Sequence, residues 1–239
     1  MTATHSASQT ARERARAELT REIKQEARRQ LAAHGAQGLS LRAVARELGM
    51  VSSAIYRYFP SRDELLTALI IEAYDALGEA AETASAGPPA DVRGRWRAAC
   101  HAVRHWALAH PHEYALIYGS PVPGYQAPRD TVAPATRAVR VLGDLLAGAG
   151  PEMRDVAGPA PALPPELARQ SALVADAIAP GVPPAVIARA LTAWTQLFGM
   201  ISFELFGQFV GSLEPADSFF GYAVERMADF VGIPEGYAR

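Results

Sequence analysis

The sequence predicts an all-α protein with an N-terminal three-helix, helix-turn-helix head followed by a helical body. Apolar residues recur every three or four positions along most of the 239-residue chain, which is the spacing of amphipathic helices. No run of alternating β-branched residues and no Asn-Gly hairpin turn indicates a strand. Glycine and proline interrupt the helical stretches at short intervals and set their ends.

The composition is that of a soluble globular protein, since 49% of the residues are hydrophobic and 20% are charged. No apolar run comes close to the roughly 20 residues that span a bilayer. The first residues lack the apolar segment of a secretory signal. The single cysteine, Cys100, excludes an intramolecular disulfide and fits a reducing compartment. We therefore expect a cytoplasmic protein that does not associate with a membrane.

The charge of the chain is unevenly distributed. Residues 1–64 carry a net charge of +4 and residues 65–239 a net charge of −6, which together make the overall −2. A basic head on an acidic body is the asymmetry that local contact with phosphates requires. Charge clusters of this size are also common on surfaces that contact only solvent.

The first helix is predicted from about Ala11 to His34. Its inward positions recur every four residues, and they are Leu19, Ile23, Ala27 and Leu31. Gly35 ends the helix, because glycine readily takes the left-handed conformation of a helix C-terminus. The roughly ten residues before Ala11 are expected to be disordered.

Two short helices follow the first one. Ser40 is placed to cap the second helix, and Gly49 closes it. The third helix is predicted from about Ser52 to Tyr58. Pro60 breaks it, because proline disfavours helical geometry in the residue before it.

A fourth helix opens at Ser61, where Ser61 and Glu64 form a capping-box pattern. It runs into a linker over residues 82–91. Body helices are predicted near 91–110, 112–118, 130–148, 165–178, 184–210 and 215–232, with a surface loop over residues 147–166. We expect one domain over residues 1–80 and a second over residues 81–239.

The segment 40–59 has the layout of a helix-turn-helix unit, which lays its second helix in the DNA major groove. Its inward side is formed by Leu41, Val44, Ala45, Leu48, Ile55 and Phe59, and its outward side by Ser52, Ser53, Tyr56 and Arg57. Short hydroxyls can approach base edges, while Tyr56 can donate to a phosphate. Arg62 lies at a helix N-terminus, which suits a phosphate. The same pattern also fits a helical hairpin inside a core.

The run LSLRAVARELGMVSSAIYRYFPSRDELL at residues 39–66 resembles the DNA-binding head of the tetracycline-repressor family, over about residues 15–75. The resemblance implies a phosphate contact from Ser40 and a base-facing role for Arg42. It places Ser52, Ser53 and Ala54 at the start of the recognition helix. It also implies phosphate contacts from Tyr56 and Arg62.

Val51 departs from this resemblance, because relatives commonly carry serine at that position. Valine cannot accept the capping hydrogen bond, a loss of about 1 kcal/mol. The cap is therefore expected to shift to Ser52, so that the helix starts one residue later.

The run RALTAWTQLFGMISFELFGQF at residues 189–209 resembles the C-terminal domain of a subgroup marked by a W-x-x-x-H-G signature. This chain has Trp194 and Gly199 at the ends of the signature, with Phe198 in place of the histidine. The resemblance implies a body that senses an effector and dimerises.

The helix predicted near 184–210 is apolar nearly all round, so both of its sides must be buried. A dimer interface is predicted at Leu191, Ile201, Leu205, Phe220 and Met227. The alternative is that these residues form only the core of one chain. A dimer also fits DNA recognition, because one three-helix head reads half of a palindromic operator.

Aromatic residues in the body indicate an apolar pocket for a small apolar or aromatic effector. Its predicted lining is His105, Trp106, Tyr114, Tyr118, Trp194 and Phe198. His101 and His105 have the i, i+4 spacing of metal ligands, with His110 and His112 nearby, but no cysteine pair or Asp/Glu ligand accompanies them. No metal and no cofactor is therefore expected.

The chain shows no glycine-rich phosphate loop and no nucleophile elbow, so an enzyme is not expected. The sequence favours a homodimeric transcriptional repressor that binds palindromic double-stranded DNA and responds to a small molecule. An activator or a ligand-independent regulator remains an alternative. A helical enzyme or partner-binding protein with a vestigial helix-turn-helix is the alternative from another class.

Overall fold

The computed structural model describes residues 3–88, 91–149 and 162–235. Every regular element in these ranges is helical, which confirms the predicted all-α class. The chain divides into two compact units: unit 1 comprises Met1–Ala73 and His112–Thr131, and unit 2 comprises Tyr74–Pro111 and Val132–Arg239. Residues 112–131 thus group with the N-terminal helices, whereas the functional division near residue 80 remains a prediction.

Unit 1 contains the three N-terminal helices, the first half of a fourth helix and most of a sixth. Their bounds are α1, Ala3–His34; α2, Leu41–Glu47; α3, Ser52–Ile55; α4, Arg62–Ser85; and α6, Pro111–Tyr118. A single 3₁₀ turn, Ala36–Gly38, joins α1 to α2.

Helix α1 begins at Ala3, eight residues before the predicted start, so segment 3–10 is helical where disorder was expected. Gly35 follows α1 with φ of 67°, in agreement with the predicted stop. Ser40 caps α2 as predicted, because its Oγ accepts a hydrogen bond from the Ala43 amide at 3.4 Å.

Helix α3 is shorter than predicted and ends at Ile55 instead of Tyr58. The chain continues as tight turns, in which the Arg57 amide donates to the Ala54 carbonyl at 3.1 Å and the Tyr58 amide to the Ile55 carbonyl at 2.9 Å. The nearby Pro60 cannot continue a helical ladder, so the last turn tightens before the chain leaves the helix.

The core of unit 1 is a cluster of buried apolar side chains from all of its first four helices. Its members are Ile23, Ala27, Leu31, Leu39, Leu41, Val44, Ala45, Ile55, Phe59, Leu65, Leu66 and Leu69. The predicted inward residues of the helix-turn-helix are buried here, apart from Leu48, which packs at the edge. The apolar periodicity of the sequence therefore assigned the inner face correctly.

Ion pairs tie α6 to the N-terminal helices within unit 1. Arg28 Nε donates to Glu113 Oε1 at 2.9 Å, and Arg28 Nη2 donates to Glu72 Oε2 at 2.5 Å. Lys24 also pairs with Glu72. Arg28 thus links α1 to both α4 and α6.

The described part of unit 2 contains the second half of α4 and five further helices. The bounds of four of these helices are α5, Val92–Ala109; α7, Val132–Ala149; α8, Pro165–Ile178; and α10, Asp217–Val231. The remaining helix is α9, Pro184–Leu205, which packs against α8 and α10, while α5 packs against α7, α9 and α10. The predicted loop over 147–166 lies mostly outside the described residues.

Helix α9 corrects two expectations. It ends at Leu205 instead of 210, because Gly207 takes φ of 79°, a conformation that leaves the helix. It is also the one described helix that is long and apolar enough to cross a membrane, judged by its length of 22 residues and its mean hydropathy of 1.2. No such stretch was expected from the sequence. Core helices also meet these criteria, and 44% of its apolar window is buried in this structure.

Two buried arginines cross-link the helices of unit 2. Arg104 on α5 forms a bidentate ion pair with Glu204 on α9, in which Nε donates to Oε2 at 2.7 Å and Nη2 donates to Oε1 at 2.6 Å. Arg93 on α5 donates to Glu225 Oε2 at 2.8 Å and to Asp229 at 2.7 Å, both on α10. The carboxylate of Glu204 is therefore engaged in an ion pair that joins α5 to α9.

Gly143 marks a close approach between α7 and the end of α8. A Cβ at Gly143 would lie 2.2 Å from the carbonyl oxygen of Ile178, so the backbones would have to separate. We predict that Gly143→Ala lowers the free energy of unfolding of unit 2 by about 1–3 kcal/mol, the usual cost of overpacking. Tryptophan fluorescence during urea unfolding measures this, since all three tryptophans lie in unit 2.

Gly148→Ala on the same helix is the matched control. Its Cβ would meet only Arg95 Nη1 at 3.9 Å, an ordinary contact. Because alanine is the better helix former by about 1 kcal/mol, this variant should be neutral or more stable. Equal stability of the two variants would contradict the close approach.

Candidate nucleic-acid interface

The turn between α2 and α3 is set by backbone geometry. Gly49 takes φ of 64°, and the Met50 amide donates to the Ala45 carbonyl at 2.8 Å. Val51 is the N-cap of α3 and offers no side-chain hydrogen bond, so the expected shift of the cap to Ser52 is wrong. The Ala54 amide bonds to the Val51 carbonyl at 2.8 Å, and this bond starts the helix without a side-chain cap.

The short segment after the turn has two distinct faces. Ile55 is fully buried and Phe59 nearly so, while Tyr58 is half-buried at the edge of the core. The opposite face carries exposed Ser52, Ser53, Tyr56 and Arg57, with Ala54 half-buried between the faces. Hydroxyl, phenol and guanidinium groups thus share one solvent-exposed surface, as a DNA-reading helix requires.

Helix α2 contributes two further predicted residues. Arg42 is exposed, whereas Ser40 is half-buried, and its Oγ already accepts the capping hydrogen bond. The Ser40 amide donates to the side-chain oxygen of Gln30 at 3.3 Å, which fixes the start of α2 against α1. The Ser40 hydroxyl keeps its own proton to donate to a phosphate.

Arg62 has partners that the sequence did not indicate. Its Nη2 donates to the Ala36 carbonyl at 2.7 Å, and its Nε donates to the Leu39 carbonyl at 3.2 Å. A third contact, from Nη1 to Asp63, is long at 3.5 Å. The guanidinium group therefore holds the connection between α1 and α2, and only its remaining donor directions are open to DNA.

Arg16 is a residue that sequence reasoning missed. Its Nη2 donates to the Arg57 carbonyl at 3.0 Å, and its guanidinium carbon lies 5.2 Å from the centre of the Tyr58 ring. The contact joins α1 to the chain just after α3. The spacing of the sequence could have indicated this contact. Arg16 stands three positions before Leu19 and seven before Ile23, so it lies on the inward face of α1.

The predicted effector-pocket residues do not lie together in one unit. Tyr114 and Tyr118 belong to unit 1, with ring centres 5.3 Å apart. The others belong to unit 2, where Trp194 and Phe198 lie 4.5 Å apart and Trp106 stacks on His110 at 5.2 Å. His105 is exposed. Of the six residues, only Trp194 lines the apolar cavity of unit 2.

The apolar cavity of unit 2 has a volume of about 20 Å³. It is lined by Ala81, Trp96, Ala99, Cys100, Val103, Ala138, Val141, Leu142, Leu145, Trp194 and Leu197. Burial raises the pKa of the Cys100 thiol, so the lining carries no charge near neutral pH. A space of this size holds about one water molecule.

The histidine pair on α5 lies beside the cavity helices without forming a metal centre. Its ring centres are 6.2 Å apart, and His101 packs edge-on to Phe220 at 5.2 Å. Burial lowers the pKa of His101, and His105 and Arg104 lower it further. Within the described ranges, no three His, Cys, Asp or Glu side chains are grouped to hold a metal ion.

The predicted interface residues have different exposures. Ile201, Phe220 and Met227 are at most 2% exposed, so they form the core of unit 2 and offer no surface to a second chain. Leu191 and Leu205 are half-buried. Periodicity could not separate these cases, because α9 packs against α8 and α10 of its own chain. Large apolar side chains are exposed nearby at Phe203, Phe206, Val210, Leu213, Tyr222 and Phe230.

A short recognition helix, a glycine turn, a capped partner helix and an exposed polar face define the class of this protein. It is a helix-turn-helix DNA-binding protein of the kind that regulates transcription.

Two family models match the chain. One, described as bacterial regulatory proteins of the tetR family, matches residues 23–69. The other, described as a tetracyclin repressor-like C-terminal domain, matches residues 96–227. The chain belongs to the tetracycline-repressor family of bacterial transcription regulators.

Named relatives agree with this assignment. The chain is 42% identical over 200 residues to the HTH-type transcriptional regulator Rv1816 of Mycobacterium tuberculosis, covering 82% of this chain and 84% of the relative. The HTH-type transcriptional repressor DrrR1 of Streptomyces coeruleorubidus is 36% identical over 100 residues, 40% of this chain and 34% of that protein. A crystal structure of SCO4313, described as a candidate regulatory protein, superposes with a TM-score of 0.73 at 36% identity, covering 90% and 97% of the two chains.

Val51 leaves α3 without a side-chain cap, which suggests a stabilising substitution. We predict that Val51→Ser raises the local stability of the α2–α3 segment by about 1 kcal/mol, because the new hydroxyl can accept from a first-turn amide. Slower hydrogen exchange of the Ser53 and Ala54 amides would show this. Val51→Ala is the control, since it removes the branched side chain without adding an acceptor, and equal protection in both variants would contradict the prediction.

Arg62 donates hydrogen bonds to two backbone carbonyls between α1 and α2. Its loss should therefore weaken DNA binding by displacing α2, more than by removing a positive charge. We predict that Arg62→Ala weakens DNA binding and speeds amide exchange in α2, while the slope of log K against log salt stays unchanged. The matched control is Arg46→Ala, an exposed α2 arginine that pairs only with its neighbour Glu47 at 3.3 Å. A salt slope lower by about one per chain would instead show that Arg62 contacts a phosphate.

Proposed function

We propose that this protein is a homodimeric, cytoplasmic repressor that leaves its operator when a small apolar or aromatic effector binds. The observation that carries the proposal is the exposed polar face of α3, opposed by buried Ile55 and Phe59. These polar side chains do not contribute to the core, and in a helix-turn-helix the second helix lies in the major groove of DNA. The name of the relative DrrR1, a repressor, favours repression over activation for this chain.

The DNA contacts in this proposal follow the exposed face. Ser52, Ser53 and Ala54 approach base edges, and Arg42 reaches bases from α2. Tyr56 and Arg57 contact phosphates, as does the free donor of Ser40. Arg62 supports this surface through its hydrogen bonds to the Ala36 and Leu39 carbonyls.

The dimer in this proposal uses the apolar side chains that one chain leaves exposed on α9, the loop after it and α10. Phe203 and Tyr222 are 53% and 65% exposed, which is unusual for large apolar residues. The half-buried Leu191 and Leu205 also take part in the proposed contact, while Ile201, Phe220 and Met227 are buried within the chain. Two heads would then reach successive major grooves about 34–36 Å apart on a palindrome.

The effector in this proposal enters the apolar cavity of unit 2. Its lining suits an apolar or aromatic molecule, but a typical ligand needs about 300–1,000 Å³. The helices around the cavity must therefore separate, so the bound and free conformations differ. A ligand can weaken DNA binding only as far as it prefers one of them.

Helix α4 is the proposed path from effector to DNA. Its residues 74–85 belong to unit 2, where Ala81 lines the cavity, and its residues 62–73 belong to unit 1. A body of residues 81–239 would thus act on a DNA-binding domain of residues 1–80. In this respect the chain would follow the subgroup with the W-x-x-x-H-G signature, with Phe198 as an apolar replacement for the histidine.

The decisive experiment selects binding sites from a library of random DNA duplexes with the purified full-length chain. We expect a palindromic consensus, an affinity that falls with rising salt, and a mass of two chains by analytical ultracentrifugation. A promoter carrying the selected site should be repressed in a reporter strain. Absence of any selected sequence at low salt would overturn the regulator assignment, and activation of the promoter would overturn repression.

The effector is tested separately by thermal shift with apolar and aromatic compounds. A compound that raises Tm and releases the selected duplex supports the proposal, because binding to the native state stabilises it. Ala99→Val should reduce this shift by taking up the space in the cavity while leaving DNA binding intact. If no compound in either class raises Tm, the effector proposal fails and the DNA-binding proposal stands.

A further inference from the structure

Helix α1 extends far beyond the core that it helps to form. Its first inward apolar residue is Leu19, which packs against the core of unit 1, yet the helix begins at Ala3. At 1.5 Å per residue, the part before Leu19 is about 24 Å long. Residues 11–18 of this extension are all exposed.

An arginine pair continues the inward stripe of α1 along this extension. Arg12, Arg16, Leu19 and Ile23 are spaced by four, three and four residues, which places them on one face of the helix. Leu19 and Ile23 meet the core, whereas Arg12 and Arg16 occupy the positions where a packed helix would carry apolar residues. The face thus changes from apolar to cationic where the protein core ends.

Arg16 shows where this face points. Its hydrogen bond to the Arg57 carbonyl and its position over the Tyr58 ring place it beside the turn that follows α3. Arg12 is one turn farther along, about 6 Å beyond Arg16. It forms no hydrogen bond or ion pair with any other described residue, and its side chain is exposed.

The carboxylates nearby do not neutralise this pair. Glu18 is bound to Arg21 at 2.7 Å on the opposite side of the helix. Glu13 stands about 100° from Arg12 around the helix axis, so it lies off the stripe. An unpaired guanidinium one helical turn from Arg16, which contacts the Arg57 carbonyl, is complementary to phosphate. It can bind a phosphate with two parallel hydrogen bonds.

We infer that Arg12 contacts the DNA backbone just outside the half-site read by α3, with Arg16 as the residue that orients α1 for this contact. The inference rests on the proposed function, and it adds a second DNA-contacting element that the helix-turn-helix does not include. The partner is the phosphate backbone of duplex DNA, so the contact carries affinity and no sequence preference.

The test compares Arg12→Ala with Arg14→Ala on two duplexes. One is the selected palindrome alone, and the other carries ten extra base pairs of unrelated sequence on each side. Arg14 is exposed and lies about 200° from Arg12 around the helix, so its variant loses the same charge from the opposite face. On the longer duplex, Arg12→Ala should bind several-fold more weakly, with a salt slope lower by about one per chain.

Three further results are expected. Arg14→Ala should match the unaltered chain on both duplexes. Trimming the flanks should weaken the unaltered chain and leave Arg12→Ala unaffected. Arg12→Lys should keep the salt slope, because it keeps the charge, and Tm should be the same for all variants.

Each contrary result has a definite meaning. Equal affinity and slope for Arg12→Ala and the unaltered chain overturn the inference while the proposed function stands. Equal losses in Arg12→Ala and Arg14→Ala also overturn it, since they would show a general effect of charge. No sequence-selective binding by the unaltered chain overturns the proposed function, and the inference falls with it.

Discussion

The DNA-reading surface depends on how a four-residue helix is held in place. An isolated helix of one turn has no stability of its own, because nucleation costs more than its few hydrogen bonds return. Helix α3 lacks even a side-chain cap at Val51. Its orientation therefore comes from packing: Ile55 and Phe59 belong to the buried cluster of unit 1, and the turn at Gly49 sets the direction of approach. Burying these two side chains is what turns the serines, Tyr56 and Arg57 outward.

Arginine has a second role in this protein, as a cross-link between helices. Arg28, Arg93 and Arg104 each join carboxylates on other helices of their own unit, and the last two are almost fully buried. A buried ion pair contributes little net stability, but a packing arrangement that leaves one of its charges buried and unpaired is strongly destabilised. The planar guanidinium also restricts the relative placement of the helices, because its donors must reach two carboxylates in fixed directions. These ion pairs therefore favour one packing arrangement of the helices over others more than they raise the free energy of unfolding.

The apolar cavity of unit 2 leaves little room for a ligand in this conformation. It has a volume of about 20 Å³ and uncharged, apolar walls. Opening the cavity would cost packing between α5, α7 and α9, so the effector proposed here would have to recover at least that free energy in new contacts. The helices that border the cavity are joined by the Arg104–Glu204 pair, so opening must either preserve this link or move both helices together.

The sequence by itself determined the helical class, most helix ends and the inward face of the head, since periodicity, caps and glycine stops act locally. It also indicated the family, because a short DNA-reading motif keeps its spacing. Only the tertiary structure decided which apolar residues of α9 and α10 are core, since core and interface positions have the same periodicity. It also decided that Arg62 bonds the carbonyls of Ala36 and Leu39, that Arg16 reaches Arg57, and that the aromatic residues predicted for one pocket are divided between two units. Those contacts join residues distant in the chain, and their partners are set by how the helices pack.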